Sequence, residues 1–218
     1  MRIEELTKNL KEYPNKLKQI YDPPAKIYIL GNKELLYKKS VAIVGARKST
    51  IYGRKIAYNI SKELNKKGVV IISGLALGID TYAHLGALEG GTIAVLGSGI
   101  DKIYPKENIE LARKIVKNGG CIISEYPIGT MPQKQYFPQR NRIISGLSNG
   151  VLVVEATKKS GALITADFAL EQGKEVFAVP GDITRTESEG CNELIKDGAI
   201  LATSEKEILE NILYLSWK

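Results

Sequence analysis

Basic and aromatic side chains alternate in the short stretch KQYFPQRNR at residues 134–142. The cations and rings in question are Lys134, Tyr136, Phe137, Arg140 and Arg142. Proteins hold single-stranded nucleic acid in this way, because cations follow the phosphates while rings stack on bases for about 1–3 kcal/mol each. The alternative is structural: Phe137 packs as a hydrophobic staple for the helix that follows, and the arginines stay exposed. For Arg140 and Arg142 a second role is open besides phosphate contact, namely holding the loop by pairing with acids such as Glu125 or Glu155.

Two glycine-containing segments could also bind phosphate. The loop GARKST at 45–50 follows a strand pattern and precedes a helix pattern, and Ser160–Gly161 begin another helix. Glycine lets backbone N–H groups approach an anion, and a helix start adds partial positive charge. Arg47 is interpreted as a phosphate ligand, because the planar guanidinium presents several donors to one anion; the alternative is a surface salt bridge. Ser160 is compatible with an ordinary N-cap as well. The segments contain neither GxxxxGK[ST] nor GxGxxG, which argues against a dinucleotide site.

Catalytic and metal-binding patterns are scarce. The single histidine, His84, lies within a helix pattern, where a packed core role is more common than a catalytic one. HExxH, GxSxG and paired cysteines do not occur. Acidic residues near strand ends could bind a metal or act as a base, but they could equally cap helices or pair with arginines: Asp80, Asp101, Glu125, Glu155 and Asp182. We therefore expect no catalytic residue, no metal and no cofactor.

Charge is distributed unevenly along the chain, whose net charge is +7. Residues 1–150 hold 24 Lys and Arg against 12 Asp and Glu, whereas residues 151–218 hold 7 against 12. A basic face and a phosphate-bearing partner are consistent with this asymmetry, although a lysine-rich solubilising surface would explain it too. No apolar run approaches the ~20 residues that span a bilayer. Cys121 and Cys191 stand apart, as expected of buried thiols in a reducing compartment. These features predict a cytoplasmic protein without a membrane partner.

Short β-branched runs alternate with longer helical patterns from residue 27 onward. Strands are predicted at 27–30, 41–45, 69–74, 92–97, 121–124, 151–155, 175–181 and 199–202. Helices are predicted at 53–67, 78–89, 106–118, 139–147, 161–172, 190–197 and 204–214. Because most strands are apolar on both faces, helices must cover both sides of the sheet. The pattern predicts an α/β fold with a doubly wound, mostly parallel sheet.

The first 25 residues have a different character. A short helix is predicted over 3–12, and YDPPAK at 21–26 then forces an extended turn. We interpret residues 1–25 as a short N-terminal appendage or linker, and residues 26–218 as the α/β domain.

Ligands of open parallel sheets bind beyond the carboxyl ends of the strands. The loops at those ends are 45–50, 73–80, 97–106, 125–142, 155–165 and 180–190. Four of the six are rich in glycine, and four carry Lys or Arg near the strand end. The sequence therefore predicts a phosphate-attracting rim at this edge.

Six stretches in unbroken order resemble one family. They are VAIVGARKSTIYG, SGLALGIDTYAH, AVLGSGIDKIYP, ISEYPIGTMPQKQYFPQRNRIISGLSNGVLVVEA, SGALITADFALEQGKEVFAVPGD and GCNELIKDGA. Together they are similar to the DNA-processing protein A (DprA/Smf) family. The resemblance implies an extended Rossmann-like domain that binds single-stranded DNA cooperatively and protects it. It also implies a role in loading the RecA recombinase during natural transformation, with no known catalytic reaction.

The resemblance also implies roles for individual positions. The family's G-S/A-R loop falls on Gly45, Ala46 and Arg47, and its basic residue after Tyr-Pro falls on Lys106. Its Lys and Phe before Arg-Asn-Arg fall on Lys134 and Phe137, and its Ser-Gly helix start on Ser160 and Gly161. The resemblance also implies a homodimer in which the segment around Leu194 and Ile195 pairs with the same segment of the second copy. Family members often add a helical domain in front and a winged helix behind. Here we expect at most a remnant of the first, in residues 1–25, and no C-terminal winged helix.

Two other functions remain open on the residues alone. One is a nucleotide or phosphoribosyl hydrolase resembling the lysine-decarboxylase-like proteins, which carry PGGxGTxxE. The comparable strand end here reads EATKKSGALITA and lacks both the glycine run and that acid. The other is a sensor that binds a small nucleotide in the same pocket.

Overall fold

A single nine-stranded sheet organises residues 2–214, the part of the chain that the computed structural model describes. Its strands are β1 Glu4–Thr7, β2 Lys26–Gly31, β3 Ser40–Val44, β4 Val70–Ser73, β5 Thr92–Leu96, β6 Cys121–Ser124, β7 Gly150–Val153, β8 Glu175–Ala178 and β9 Ile200–Leu201. The helices are α1 Asn15–Lys18, α2 Ile51–Lys66, α3 Ile79–Gly86, α4 Ile109–Lys117, α5 Tyr136–Leu147, α6 Gly161–Glu171, α7 Thr186–Lys196 and α8 Glu205–Tyr214. Short 3-10 turns cover Lys33–Tyr37 and Lys106–Asn108.

The strand order is β1-β2-β6-β5-β4-β3-β7-β8-β9. All pairs from β6 to β9 in this order are parallel, whereas β1 with β2 and β2 with β6 are antiparallel. The prediction of a doubly wound, mostly parallel sheet is confirmed. Because the chain builds β4, β5 and β6 on one side of β3 and β7 on the other, the strand order reverses at β3.

Both faces of the central strands are buried, as their uninterrupted apolar runs require. One face presents Ala42, Val44, Val70, Ile72, Val151 and Val153, and it is covered mainly by α5 and α6. The opposite face presents Val41, Ile43, Ile71, Leu152 and Val154, covered by α2, α3 and α8. Each large aliphatic side chain buried here contributes about 1.5–3 kcal/mol. Within residues 2–214, no helix combines the length and apolar character needed to cross a membrane.

All eight predicted strands correspond to β2–β9, although β8 ends at Ala178 instead of residue 181. The seven predicted helices correspond to α2–α8, and two of them begin several residues earlier than predicted. Helix α5 begins at Tyr136, not at 139, and α7 begins at Thr186, not at 190. The last residues of the predicted domain, 215–218, lie outside the described residues.

The predicted helix over residues 3–12 is wrong, because this segment contains strand β1. Pairing with β2 satisfies its backbone, and Leu6 enters the core at 3% exposure. Tyr13 and Leu17 are buried as well, and the Tyr13 hydroxyl donates to the Pro24 carbonyl at 2.7 Å. The segment predicted to be an appendage therefore packs closely on the sheet. Its interpretation as the remnant of a separate helical domain stays a prediction.

Candidate nucleic-acid interface

A cavity of about 720 Å³ opens at the carboxyl ends of β3, β4 and β7, where the strand order reverses. We call it the switch-point cavity. It is lined by seven of the ten residues predicted to bind DNA, namely Gly45, Arg47, Lys134, Phe137, Arg140, Ser160 and Gly161. The other three, Lys106, Tyr136 and Arg142, lie outside it. The fold thus gathers most of the predicted site from segments more than 100 residues apart.

The loop after β3 forms one wall. Its backbone is clamped on two sides: Ala46 N–H donates to the Glu155 carbonyl at 2.7 Å, and its carbonyl accepts from Ile79 N–H at 3.2 Å. A Cβ on Gly78, whose φ is +78°, would lie 2.2 Å from the Ala46 oxygen. A Cβ on Gly45 would lie 2.6 Å from Ile79 Cγ1. Close packing therefore requires glycine at both positions, and it leaves the Arg47 side chain exposed at the cavity.

Glu155 supports this wall instead of facing a ligand. Its carboxylate accepts from Thr50 N–H at 2.9 Å and from the Thr50 hydroxyl. Thr50 is the N-cap of α2, where its side chain accepts from Gly53 N–H at 3.1 Å. A carboxylate at a helix start also interacts favourably with the helix dipole. Of the roles left open for this acid, the structure shows capping.

Phe137 carries the aromatic part of the cavity. Its half-buried ring rests on Gly97, where an added Cβ would lie 2.9 Å from Cδ1 of Phe137. The Tyr104 ring centroid lies 5.5 Å away at an interplanar angle of 39°. The Arg47 guanidinium carbon lies 5.5 Å from the Phe137 centroid, within cation–π range. Packing fixes the ring, and the exposed Tyr104 and Arg47 continue its surface into the cavity.

The opposite wall is the N-terminus of α6. Ser160 caps this helix by accepting from Ala162 N–H at 3.3 Å, so the N-cap interpretation is confirmed. Gly161 has open space where a Cβ would stand, which leaves its backbone accessible. Exposed Lys134 lies on the same cavity. A helix start, a lysine and Arg47 therefore surround one space suited to phosphate.

Arg140 lies beneath the cavity and is only 4% exposed. Its Nη1 donates to the Gly74 carbonyl at 2.7 Å and to the Val95 carbonyl. Asp80 accepts from Gly74 N–H at 3.0 Å and from Ala76 N–H at 3.3 Å. Arg140 and Asp80 therefore bind the carbonyl and the N–H of Gly74, respectively. Burial lowers the pKa of Arg140 to about 10, although the negative charge of Asp80 acts to raise it. Burial also raises the pKa of Asp80. Arg140 thus ties helix α5 to the loop after β4 and to strand β5, and its predicted phosphate contact stays a prediction.

Arg142 points away from the cavity. It forms a two-pronged ion pair with Glu125, Nη1–Oε1 at 2.6 Å and Nη2–Oε2 at 2.7 Å, and its side chain is 11% exposed. Its Nε also donates to the Asp22 carboxylate at 3.0 Å. Of the two roles left open for Arg142, the structure shows the ion pair that fixes the loop.

Two further predicted contacts lie beside the cavity. The Tyr136 ring stacks on Tyr126 with centroids 4.2 Å apart. Exposed Lys106 follows the Tyr104 loop and lines a neighbouring groove. Their contacts with DNA stay predictions.

The histidine is a core residue, as the sequence favoured. His84 is fully buried in α3, and its Nδ1 lies 2.8 Å from the Thr92 hydroxyl. That hydroxyl donates to the Ile71 carbonyl, so Nδ1 carries the imidazole proton. Burial lowers the pKa of His84 to about 3, which keeps the ring neutral. Among residues 2–214, no group of three His, Cys, Asp or Glu side chains could hold a metal ion.

Sequence reasoning missed Tyr104, Lys48, Asn141 and Thr157, all of which line the cavity. Tyr104 had a usable signal, since it is an aromatic residue beside a proline in a strand-end loop. Lys48 follows Arg47 directly. Asn141 stands between Arg140 and Arg142 and Thr157 lies in the loop after β7, but neither residue type by itself indicates a binding role.

Fold and cavity together define a class: a Rossmann-like α/β protein with a cavity lined by basic and aromatic side chains at its topological switch point. The sequence profile of the family described as "DNA recombination-mediator protein A" matches residues 4–213. The chain belongs to this DprA/Smf family.

Individual relatives agree over nearly the whole chain. It is 48% identical over 205 residues to the "DNA processing protein DprA" of Bacillus subtilis, covering 93% of this chain and 69% of that protein. The structure of DprA from Streptococcus pneumoniae superposes with a TM-score of 0.90 at 44% identity, covering 96% of this chain and 74% of that one. DNA processing protein A from Helicobacter pylori gives a TM-score of 0.87 at 33% identity, covering 98% and 96%. The work on that structure describes a single-stranded DNA binding mode of the Helicobacter protein.

Proposed function

We propose that this protein binds single-stranded DNA in the switch-point cavity and acts in DNA processing and recombination. The observation that carries the proposal is the meeting of Arg47, Lys134, the Phe137 ring and the start of α6 around one cavity. Cations and a helix start suit phosphates, while the ring suits a base. The family description and the single-stranded DNA binding of the Helicobacter relative support this ligand.

The proposed role is binding without catalysis. The buried histidine and the capping role of Glu155 leave the cavity with few groups suited to general acid–base chemistry. Release of free base from nucleoside monophosphates would instead support the hydrolase alternative. Mononucleotides that bind as tightly as a 20-mer would support the sensor.

Salt dependence tests the phosphate contacts. If about three phosphates are neutralised per protomer, log affinity for a fluorescent dT20 should fall against log salt with a slope near −2, about 0.7 per phosphate. Arg47→Ala should weaken binding of all sequences alike and reduce the slope by about 0.7, because phosphate contacts carry no base information. Fluorescence anisotropy titrations at salt concentrations from about 50 to about 300 mM measure the affinity and its salt slope.

The matched control is Lys55→Ala, which removes an exposed cation of α2 that does not line the cavity. This variant should keep the wild-type affinity and slope. Affinity that stays flat across the salt range contradicts the proposal.

We further propose that the protein works as a cytoplasmic homodimer that assists loading of the RecA recombinase during transformation. Leu194 supports the dimer, since it lines a shallow groove with Leu163 and with Ile164, which is 37% exposed. Leu194 and Ile195 also pack on the main core, so a partner would cover only their outer edges.

For the recombinase role, the protein should shorten the lag of RecA assembly on single-stranded DNA. An unchanged lag contradicts this role.

The dimer has its own test. Leu194→Glu should convert a dimer to a monomer in multi-angle light scattering, because the contact would bury an unpaired carboxylate. Leu170→Glu is the control, since Leu170 is 59% exposed on α6 and lies outside that groove. Far-UV circular dichroism verifies that both variants fold. A monomeric wild type, or a dimeric Leu194→Glu protein, overturns this interface.

A further inference from the structure

A second concave surface lies beside the switch-point cavity and has a different chemical character. It encloses about 770 Å³ between α4, the loop after β5 and the loop after β6. We call it the α4 groove. Tyr104 lines both the cavity and this groove, so the two share one boundary residue.

Helix α4 supplies the apolar wall of the groove. Ile109, Ala112 and Val116 recur at intervals of three and four residues and therefore share one face of the helix. Ile103 and Met131 face them from the two loops, and Met131 is 62% exposed. Ala112 is buried, so the apolar surface of the groove that solvent reaches includes the partly exposed Ile103, Ile109 and Val116 and the exposed Met131.

The rim of the groove is basic. It carries Lys102, Lys106, Arg113 and Lys117, with Asp101 as the one acid in the lining that the described residues provide. Asp101 is already engaged, since it accepts from Gly129 N–H at 2.7 Å and pairs with Lys102 at 3.3 Å. Arg113 pairs with Glu110. Within residues 2–214, Lys106 and Lys117 have no ion-pair partner, so two cations remain free for an acidic ligand.

The spacing of these two lysines sets a length for the ligand. They are eleven residues apart along the 3-10 turn Lys106–Asn108 and helix α4, and rises of about 2.0 and 1.5 Å per residue separate them by about 18 Å. An extended peptide advances about 3.3 Å per residue, so about five residues span that distance. Acids near the ends of such a segment would reach both lysines while apolar side chains fill the centre.

We propose that the α4 groove docks an extended acidic peptide segment of a partner protein, with apolar side chains at its centre. The complementarity of charge and the aliphatic wall carry this inference. Nucleobases fit less well, because base stacking uses aromatic platforms and Tyr104 stands only at the boundary. The inference does not rest on DNA binding in the cavity. Because Lys106 was predicted to contact DNA, docking at this groove would compete with DNA for that one lysine.

The test uses the full chain and a fluorescein-labelled hexapeptide, Glu-Asp-Leu-Phe-Asp-Glu, in anisotropy titrations without DNA. Met131→Asp should weaken peptide binding about tenfold, because it replaces an apolar contact by a repelling charge. Lys117→Glu should weaken it about fivefold. Two matched controls should stay within about twofold of wild type. They are Ile128→Asp, at a 56% exposed site outside the groove, and Lys114→Glu, on α4 but outside the groove.

Three outcomes overturn the proposal. In the first, a peptide with Ser-Ser at its centre binds as tightly as the Leu-Phe peptide, which would show surface charge attraction alone. In the second, the acidic peptide does not bind, or the control variants weaken it as much as the groove variants. In the third, Met131→Asp and Lys117→Glu weaken dT20 as much as they weaken the peptide, which would assign the groove to nucleic acid. Loss of dT20 binding in Arg47→Ala, with peptide binding intact, separates the two sites.

Discussion

Replacement of Arg140 by alanine is expected to lower the free energy of unfolding by about 2–4 kcal/mol, mainly because two buried carbonyls lose their donor. The substitution leaves Asp80 as a buried charge without its nearby cation and removes the donor to the Gly74 and Val95 carbonyls. Both consequences are costly because neither group can turn to water. Urea denaturation followed by circular dichroism measures the change.

Arg47→Ala is the natural comparison, because both arginines line the same cavity but Arg47 is exposed. We expect its unfolding free energy to stay within about 0.5 kcal/mol of wild type. The double variant Asp80→Asn with Arg140→Ala should lose less stability than the two single losses added together, since it removes both charges. If Arg140→Ala unfolds like wild type but loses DNA affinity, Arg140 is a direct phosphate contact after all.

Removal of the Phe137 ring should have the largest effect on DNA binding that leaves charge unchanged. Phe137→Ala is expected to cost about 1–3 kcal/mol of binding free energy, roughly 5- to 150-fold in Kd for dT20. The salt slope should change little, because the ring carries no charge. Anisotropy titrations at two salt concentrations measure affinity and slope together.

Tyr136→Ala is the comparison variant for this ring. Tyr136 is the adjacent aromatic residue, but it stacks on Tyr126 outside the cavity. Because Tyr136 is also predicted to contact DNA but lies outside the cavity, we expect Tyr136→Ala to weaken dT20 binding less than Phe137→Ala does. If Phe137→Ala keeps the wild-type affinity and lowers only the melting temperature, the ring is a hydrophobic staple. If Tyr136→Ala is the weaker binder, the stacking role belongs to Tyr136.

The parallel strands were predictable because burial on two faces demands continuous apolar runs. VAIVG and TIAVLG are such runs, and TIAVLG also lies between two helix patterns that end at Gly90 and Gly119. The N-terminal strand was not predictable in the same way. In RIEELTKNL, residues Ile3, Leu6 and Leu10 have helical spacing, and only pairing with β2 makes the segment a strand. A terminal strand of four residues depends on its neighbour more than on its own composition.

The two arginines of Arg-Asn-Arg show where sequence information ends. Arg140 stands three, four and seven residues before Ile143, Ile144 and Leu147, which are all buried, so helical spacing placed it on the inner face. That signal was available in the sequence. The partners of Arg142 were harder to foresee, because Glu125 and Asp22 are 17 and 120 residues away along the chain. Such pairings follow from the fold and cannot be read from local pattern.

The pairing of β3 with β7 has a consequence for the order in which this protein becomes competent. Residues 41–44 meet residues 150–153, so the loop bearing Arg47 and the helix start at Ser160 face each other only after this distant pairing forms. A nascent chain that has emerged only as far as β6 has the arginine loop but no second wall for the cavity. Any anion held between the walls binds the completed sheet and not its precursors, so it pulls the chain toward the finished state by mass action. In this way an anion bound between the two walls would stabilise the completed sheet.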